Sequence, residues 1–115
     1  MAIRALSGLV PEWYTPAGQD DDASPTRFQI RPLNGRELGM VSDHISIADN
    51  RMLIAAEGVD RCRAMGLQDW ENLEGENGPL RFSRNAMDLL PVGIRRELAS
   101  KIVTISYLSD DNRKN

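Results

Sequence analysis

One cysteine, Cys62, and one histidine, His44, are all the chain has of the two side chains most often used as nucleophile, base or metal ligand. A lone thiol makes no disulfide within the chain and no cysteine metal cluster, which fits a reducing, cytosolic setting. Aromatic residues make up only 5% of the 115, so aliphatic side chains and methionine must fill most of any core. No stretch approaches the ~18 apolar residues of a membrane span. The opening "MAIRALSGLVPEW" has too short and too broken an apolar run to read as a signal peptide. Basic residues number 14 against 17 acidic, for a net charge of −3, and no block of lysine and arginine stands out. A surface that tracks phosphates is therefore not indicated. The expectation is a soluble protein that binds neither nucleic acid nor membrane.

The residues that remain make a weak case for catalysis. His44 would have to act as base for Ser42 or Ser46, with Asp43 or Asp49 orienting it, yet none of these sits in a strand–turn–helix elbow. A solvent-facing histidine at a helix end is the better reading. Asp20, Asp21 and Asp22 offer oxygens for a hard cation, but three adjacent side chains point in different directions, and the EF-hand spacing is absent. Cys62 falls on an apolar helix face, where a buried small hydrophobe is the default. The glycines at 35, 39, 75 and 78 make no phosphate-binding fingerprint. Glu74 and Glu76 lie in a turn with nothing to raise the pKa of either. No enzyme, cofactor or metal site is expected.

What is present reads as one α+β domain spanning 1–115, a mainly helical small domain with an N-terminal β-hairpin and flexible ends at 1–9 and 109–115. "TRFQIRPL" alternates, with Phe28 and Ile30 on one face and Arg27, Gln29 and Arg31 on the other, until Pro32 ends it. Pairing 26–31 with 10–14 across the acidic loop 17–25 gives the hairpin. Asn34 and Glu37 have the spacing of a capping box before a short helix over 35–43. In "HISIAD" the alternating Ile45 and Ile47 suggest a strand, but the run is too brief to decide. From Asn50 to Met65 the reading is helical, with Met52, Ala55, Val59, Cys62 and Met65 as its apolar stripe. Gly66 is placed to stop that helix in a left-handed conformation. Ser83 caps a short helix in "RNAMDLL", and Pro91 opens the clearest element, a helix to about Leu108. Its stripe is Ile94, Leu98, Ile102 and Ile105.

Between the last two long helices lies "GLQDWENLEGENGPLRFS", a polar connector that holds one of only two tryptophans. Trp70 and Phe82 either fold inward and make it a packed Ω-like loop, or one of them stays exposed as a binding anchor. The candidate partner-binding residues are Trp70 and Phe82 of the connector and Ile94, Leu98 and Ile105 of the C-terminal helix.

The order of these motifs carries more than any one of them. "VPEW", an acidic spacer, "FQIRPLNGREL", a helix, "GLQDWENL", "GENGPLRFS", "LLPVGIRREL" and a polar "SDDNRKN" follow one another over residues 10–115. The series resembles the small tail assembly chaperones of long-tailed bacteriophages and prophages. Phe28, Arg31, Pro32 and Leu33 match the first family motif, with Asn34 where serine or threonine is more usual. Gly66, Leu67 and Trp70 match the second, Phe82 and Ser83 the third, Leu90 and Pro91 the fourth, and Lys114 and Asn115 the end. The acidic insertion at 17–25 departs from the simpler pattern. The resemblance implies a non-enzymatic factor in the cytoplasm of the bacterial host. It would coat the tape-measure protein, keep it soluble and help recruit tail-tube subunits, as an oligomer if several copies are needed. The alternatives are a minor structural virion protein, such as a tail or connector subunit, and a small phage protein that inhibits a host factor.

Overall fold

The computed structural model describes residues 10–19 and 24–113, with side chains up to Leu108. The expected flexible segment 1–9, the Asp20–Asp22 loop and the Lys114–Asn115 end lie outside the described residues. The fold is α+β and begins with the expected hairpin. Strand β1 (Glu12–Tyr14) pairs antiparallel with β2 (Arg27–Ile30), in the register Glu12↔Ile30, Trp13↔Gln29 and Tyr14↔Phe28. Alternation decides which side of β2 is buried: Phe28 and Ile30 are sealed in the core, while Arg27 and Gln29 face outward. The Arg27 guanidinium lies 5.4 Å from the centroid of the Trp13 ring and pairs with Glu71.

Helix α1 (Gly35–Ser42) starts as its sequence dictates. The Asn34 side chain accepts the Glu37 N–H at 2.9 Å, and the Glu37 carboxylate accepts the Asn34 N–H at 3.0 Å. Arg31 adds a two-point grip on the same carboxylate, at 2.8 and 2.7 Å. That grip, with the cap, holds the Glu37 carboxyl below its ordinary value against the opposing effect of burial. A depressed folded-state pKa stabilises the protein above the unfolded carboxylate pKa of about 4.3, and the contribution is lost as pH falls through the folded value. Below about pH 4, the native chain should therefore lose more stability than a Glu37→Gln variant does. Urea midpoints of the two across that pH range check it.

The segment after α1 departs from the sequence reading. Residues 45–54 form a hairpin, β3 (Ile45–Ala48) against β4 (Arg51–Ile54), and the following helix α2 begins only at Ala56 and runs to Gly66. Asp49 and Asn50 both have positive φ, 52° and 61°, as a two-residue type I′ turn requires. Met52 and Ala55 thus lie outside the helix, and the buried face of α2 is Gly58, Val59, Cys62, Arg63 and Gly66. Cys62 is buried as expected, which raises its thiol pKa to about 11. His44 sits just beyond α1, but its side chain is only 23% exposed and rests on Gly58 instead of facing solvent. A Cβ at Gly58 would lie 2.6 Å from the His44 Cβ and 2.9 Å from Ile54 Cγ2. Gly→Ala inside a helix ordinarily stabilises; here overpacking should reverse the sign and cost about 1–3 kcal/mol. Thermal melts of Gly58→Ala and of an exposed control, Gly93→Ala, separate the two effects.

Gly66 is not left-handed, contrary to the expected helix stop. The helix passes directly into strand β5 (Leu67–Glu71), and the glycine serves close packing, since a Cβ there would lie 2.8 Å from Ile102 Cγ2. Strand β5 pairs antiparallel with β2, giving a three-stranded sheet in the order β1-β2-β5. The register slips between Gln29↔Asp69 and Ile30↔Leu67, leaving Gln68 as an extra residue in a bulge. The bulge lets Leu67 and Trp70, three apart, both face the core.

Ser83 accepts the Ala86 N–H at 3.0 Å, which starts a single 3-10 turn, Ala86–Leu89. Helix α3 then runs from Val92 to Arg113, past the expected end at Leu108, with the Pro91 carbonyl accepting the Arg95 N–H at 3.0 Å. Leu98, Ala99, Ile102, Val103 and Ile105 bury its core face. Ser106 is buried among them and fully used. Its hydroxyl donates to the Ile102 carbonyl at 2.6 Å and accepts the Leu33 N–H at 2.7 Å, tying α3 to the end of the sheet. No helix among the described residues is long and apolar enough to cross a membrane.

Candidate functional site

The connector builds one wall of an open groove, and its shape starts from Trp70. Trp70 is turned inward, 5% exposed, and edge-packed between Phe28 and Phe82, with ring centroids 6.2 and 4.9 Å away. Its indole N–H donates to the Leu80 carbonyl at 2.7 Å, and the Leu80 N–H donates to the Leu73 carbonyl, also at 2.7 Å. Between those anchors the chain folds back as a miniature hairpin, β6 (Glu74–Gly75) against β7 (Gly78–Pro79). Two left-handed residues make this flap possible: Asn72 with φ 58°, after β5, and Gly78 with φ 109°, after the hairpin turn. The expected compact Ω-like loop is thus a strand of the main sheet followed by a stapled flap.

An open groove of about 740 Å³ runs between the flap and the segment Leu89–Pro91. Leu73 and Leu80 of the flap and Leu89, Leu90 and Pro91 opposite give it apolar walls. Leu89 is 68% exposed at its edge, and Val92 is exposed just beyond. Glu74 and Glu76 bring two carboxylates, and among the described residues no lysine or arginine lines the groove.

Two arginines fix the side formed by the 3-10 turn. Arg63 of α2 is buried; one terminal nitrogen donates to the Met87 carbonyl at 2.6 Å, and the other lies 3.2 Å from Asp88 and 3.3 Å from Asp60. Its Nε has no protein partner among the described residues. Arg95 of α3 donates to the Leu90 carbonyl at 2.8 Å and to the Asp88 carbonyl at 2.7 Å. Three carbonyls of the turn and its exit, those of Met87, Asp88 and Leu90, are thereby held from two helices. The sequence reading missed both roles. For Arg63 a signal existed: it stands four residues from Val59 and three from Gly66, within the buried stripe of α2.

A second hollow, about 480 Å³, is bordered by the Arg31–Glu37 pair, Met65, Phe82, Arg84 and Met87. Its ion pair is satisfied within the chain, so it offers less for recognition.

The five residues expected at a partner surface fall in two groups. Trp70, Leu98 and Ile105 are buried in this chain's own core, whereas Phe82 and Ile94 are half-buried at its edge. Phe82 joins Trp70 in the aromatic stack. The leucines that line the groove, Leu73, Leu80 and Leu89, are neighbours that the sequence reading did not select. No group of three or more histidine, cysteine, aspartate or glutamate side chains is arranged to hold a metal among the described residues. Compared with protein-family models, with curated proteins and with solved structures, the chain gave no match in any of the three.

Proposed function

We propose that this chain is a tail assembly chaperone, a non-enzymatic protein that binds a phage tape-measure protein in the host cytoplasm and helps recruit tail-tube subunits around it. The observation that supports it is convergence. Phe28, Trp70, Phe82 and the Leu90–Pro91 step, each from a different one of the motifs that carry the family resemblance, come from separate parts of the chain. They meet in one substructure: three of them stack, and the fourth walls the groove that this stack and its flap hold open. An apolar groove with exposed leucine at its edge suits reversible binding of a long apolar client better than it suits chemistry. The half-buried Ile94 and the exposed Val92 place the start of α3 next to the same surface.

The reading is tested by tagging the protein in infected cells and identifying what it retains. The tape-measure protein should dominate the eluate, and purified particles should lack the chain. A stoichiometric complex with one host protein would replace this reading with that of a host-factor inhibitor. Retention in mature particles would replace it with a structural subunit.

A further inference from the structure

We infer that the groove between the flap and Leu89–Pro91 takes a cationic amphipathic peptide segment, one with two or three apolar side chains flanked by lysine or arginine. This rests on reading the chain as a client-binding protein, and it specifies which part of a client is held. Leu73, Leu80 and Leu90 supply a wall that rewards apolar side chains, and the groove volume of about 740 Å³ accommodates only a few of them. Charge selects the rest of the ligand. Glu74 and Glu76 are both exposed on the flap, and among the described residues neither takes part in an ion pair or accepts a side-chain hydrogen bond. Arg63 and Arg95, the cations that hold the adjacent turn, are committed to its carbonyls and do not line the groove. An acidic segment would therefore meet two carboxylates with no cation among the described lining residues, and a basic one would gain two partners.

The test uses the full chain and two fluorescent synthetic peptides of identical leucine-rich centre, one flanked by lysine and one by glutamate. Anisotropy should show the lysine-flanked peptide binding at least about tenfold more tightly, with the preference weakening as salt is added. Glu74→Lys combined with Glu76→Lys should reverse the preference. Both sites are exposed, so circular dichroism should show an unchanged fold. Leu89→Ser removes apolar wall without altering charge and should weaken the lysine-flanked peptide by about tenfold. Equal binding of the two peptides overturns the inference, as does a Leu89→Ser variant that binds like the native chain. The charge-reversed variant also separates this inference from the chaperone reading. If it keeps the tape-measure protein soluble as well as the native chain does, the groove assignment fails and the chaperone reading stands. Should the peptides behave as stated while the native chain leaves the tape-measure protein insoluble, the chaperone reading fails and the groove stands.

Discussion

Trp70→Ala should cost about 3–5 kcal/mol, a large share of the ~5–15 kcal/mol that holds a typical domain together. Two losses combine. The indole is buried between Phe28 and Phe82, so its removal leaves a cavity where β2, β5 and the connector meet. The Leu80 carbonyl also loses its indole donor, and the flap loses its staple to β5. Trp70→Phe separates the parts, because it keeps most of the apolar contact and gives up only the N–H. It should cost less, about 1–3 kcal/mol from the unpaired carbonyl and imperfect packing. Urea unfolding of the three proteins reads this order directly. A cost below about 1 kcal/mol for Trp70→Ala would mean that the flap is not integrated with the core. The same argument makes Trp70→Ala a poor probe of binding, since folding and recognition would fail together. Leu89, exposed and outside the core, is the cleaner position.

Leu98→Ala should cost about 2–5 kcal/mol. Leu98 is wholly buried on α3, with Ile102 one turn further on and packed against Gly66 of α2. The close approach of the two helices at Gly66 leaves little freedom for either to collapse into the void, so the upper half of the range is the expectation. His44→Ala serves as contrast. Its side chain is partly covered and packs on Gly58, so its loss should cost about 1 kcal/mol. Equal costs would show that the stripe of α3 is not the centre of the core.

The parts of the fold legible in the sequence are those where one local rule acts alone. Alternation in "RFQI" specified β2, the Asn34–Glu37 pair specified the start of α1, and the spacing of Leu98, Ile102 and Ile105 specified the buried face of α3. Elsewhere two rules conflicted. Met52 and Ala55 continue the three-and-four spacing of α2 backwards, and Ala55 supplies no side-chain cap to mark the true start. The signal that wins there is the Asp49–Asn50 turn, which two left-handed residues make compatible with a tight hairpin. In β5 the apolar residues are three apart, a spacing that hides a strand until the bulge at Gln68 is known. Gly66 followed the rule for a helix stop, whereas its purpose is to let Ile102 come near.

The candidate site was legible only in part, for a similar reason. The aromatic residues that organise it were identified, and the uncertainty over Trp70 resolves toward the inward-folded staple. Its working surface was not, because the groove forms between two segments, 73–80 and 89–91, whose juxtaposition depends on contacts made elsewhere. Arg63 and Arg95 set one wall through backbone carbonyls, an arrangement without any residue-type signature. Leu98 and Ile105 looked equally suited to core and to interface by periodicity; the packing of α3 on α2 assigns them to the core.

The proposed chaperone role is tested most directly by the solubility of a tape-measure protein, expressed with and without this chain. Under the chaperone proposal the tape-measure protein is in the soluble fraction only when the chain is present, and the two co-elute on gel filtration. A tape-measure protein that is insoluble in both cases, or that is soluble alone and elutes apart from the chain, would contradict it.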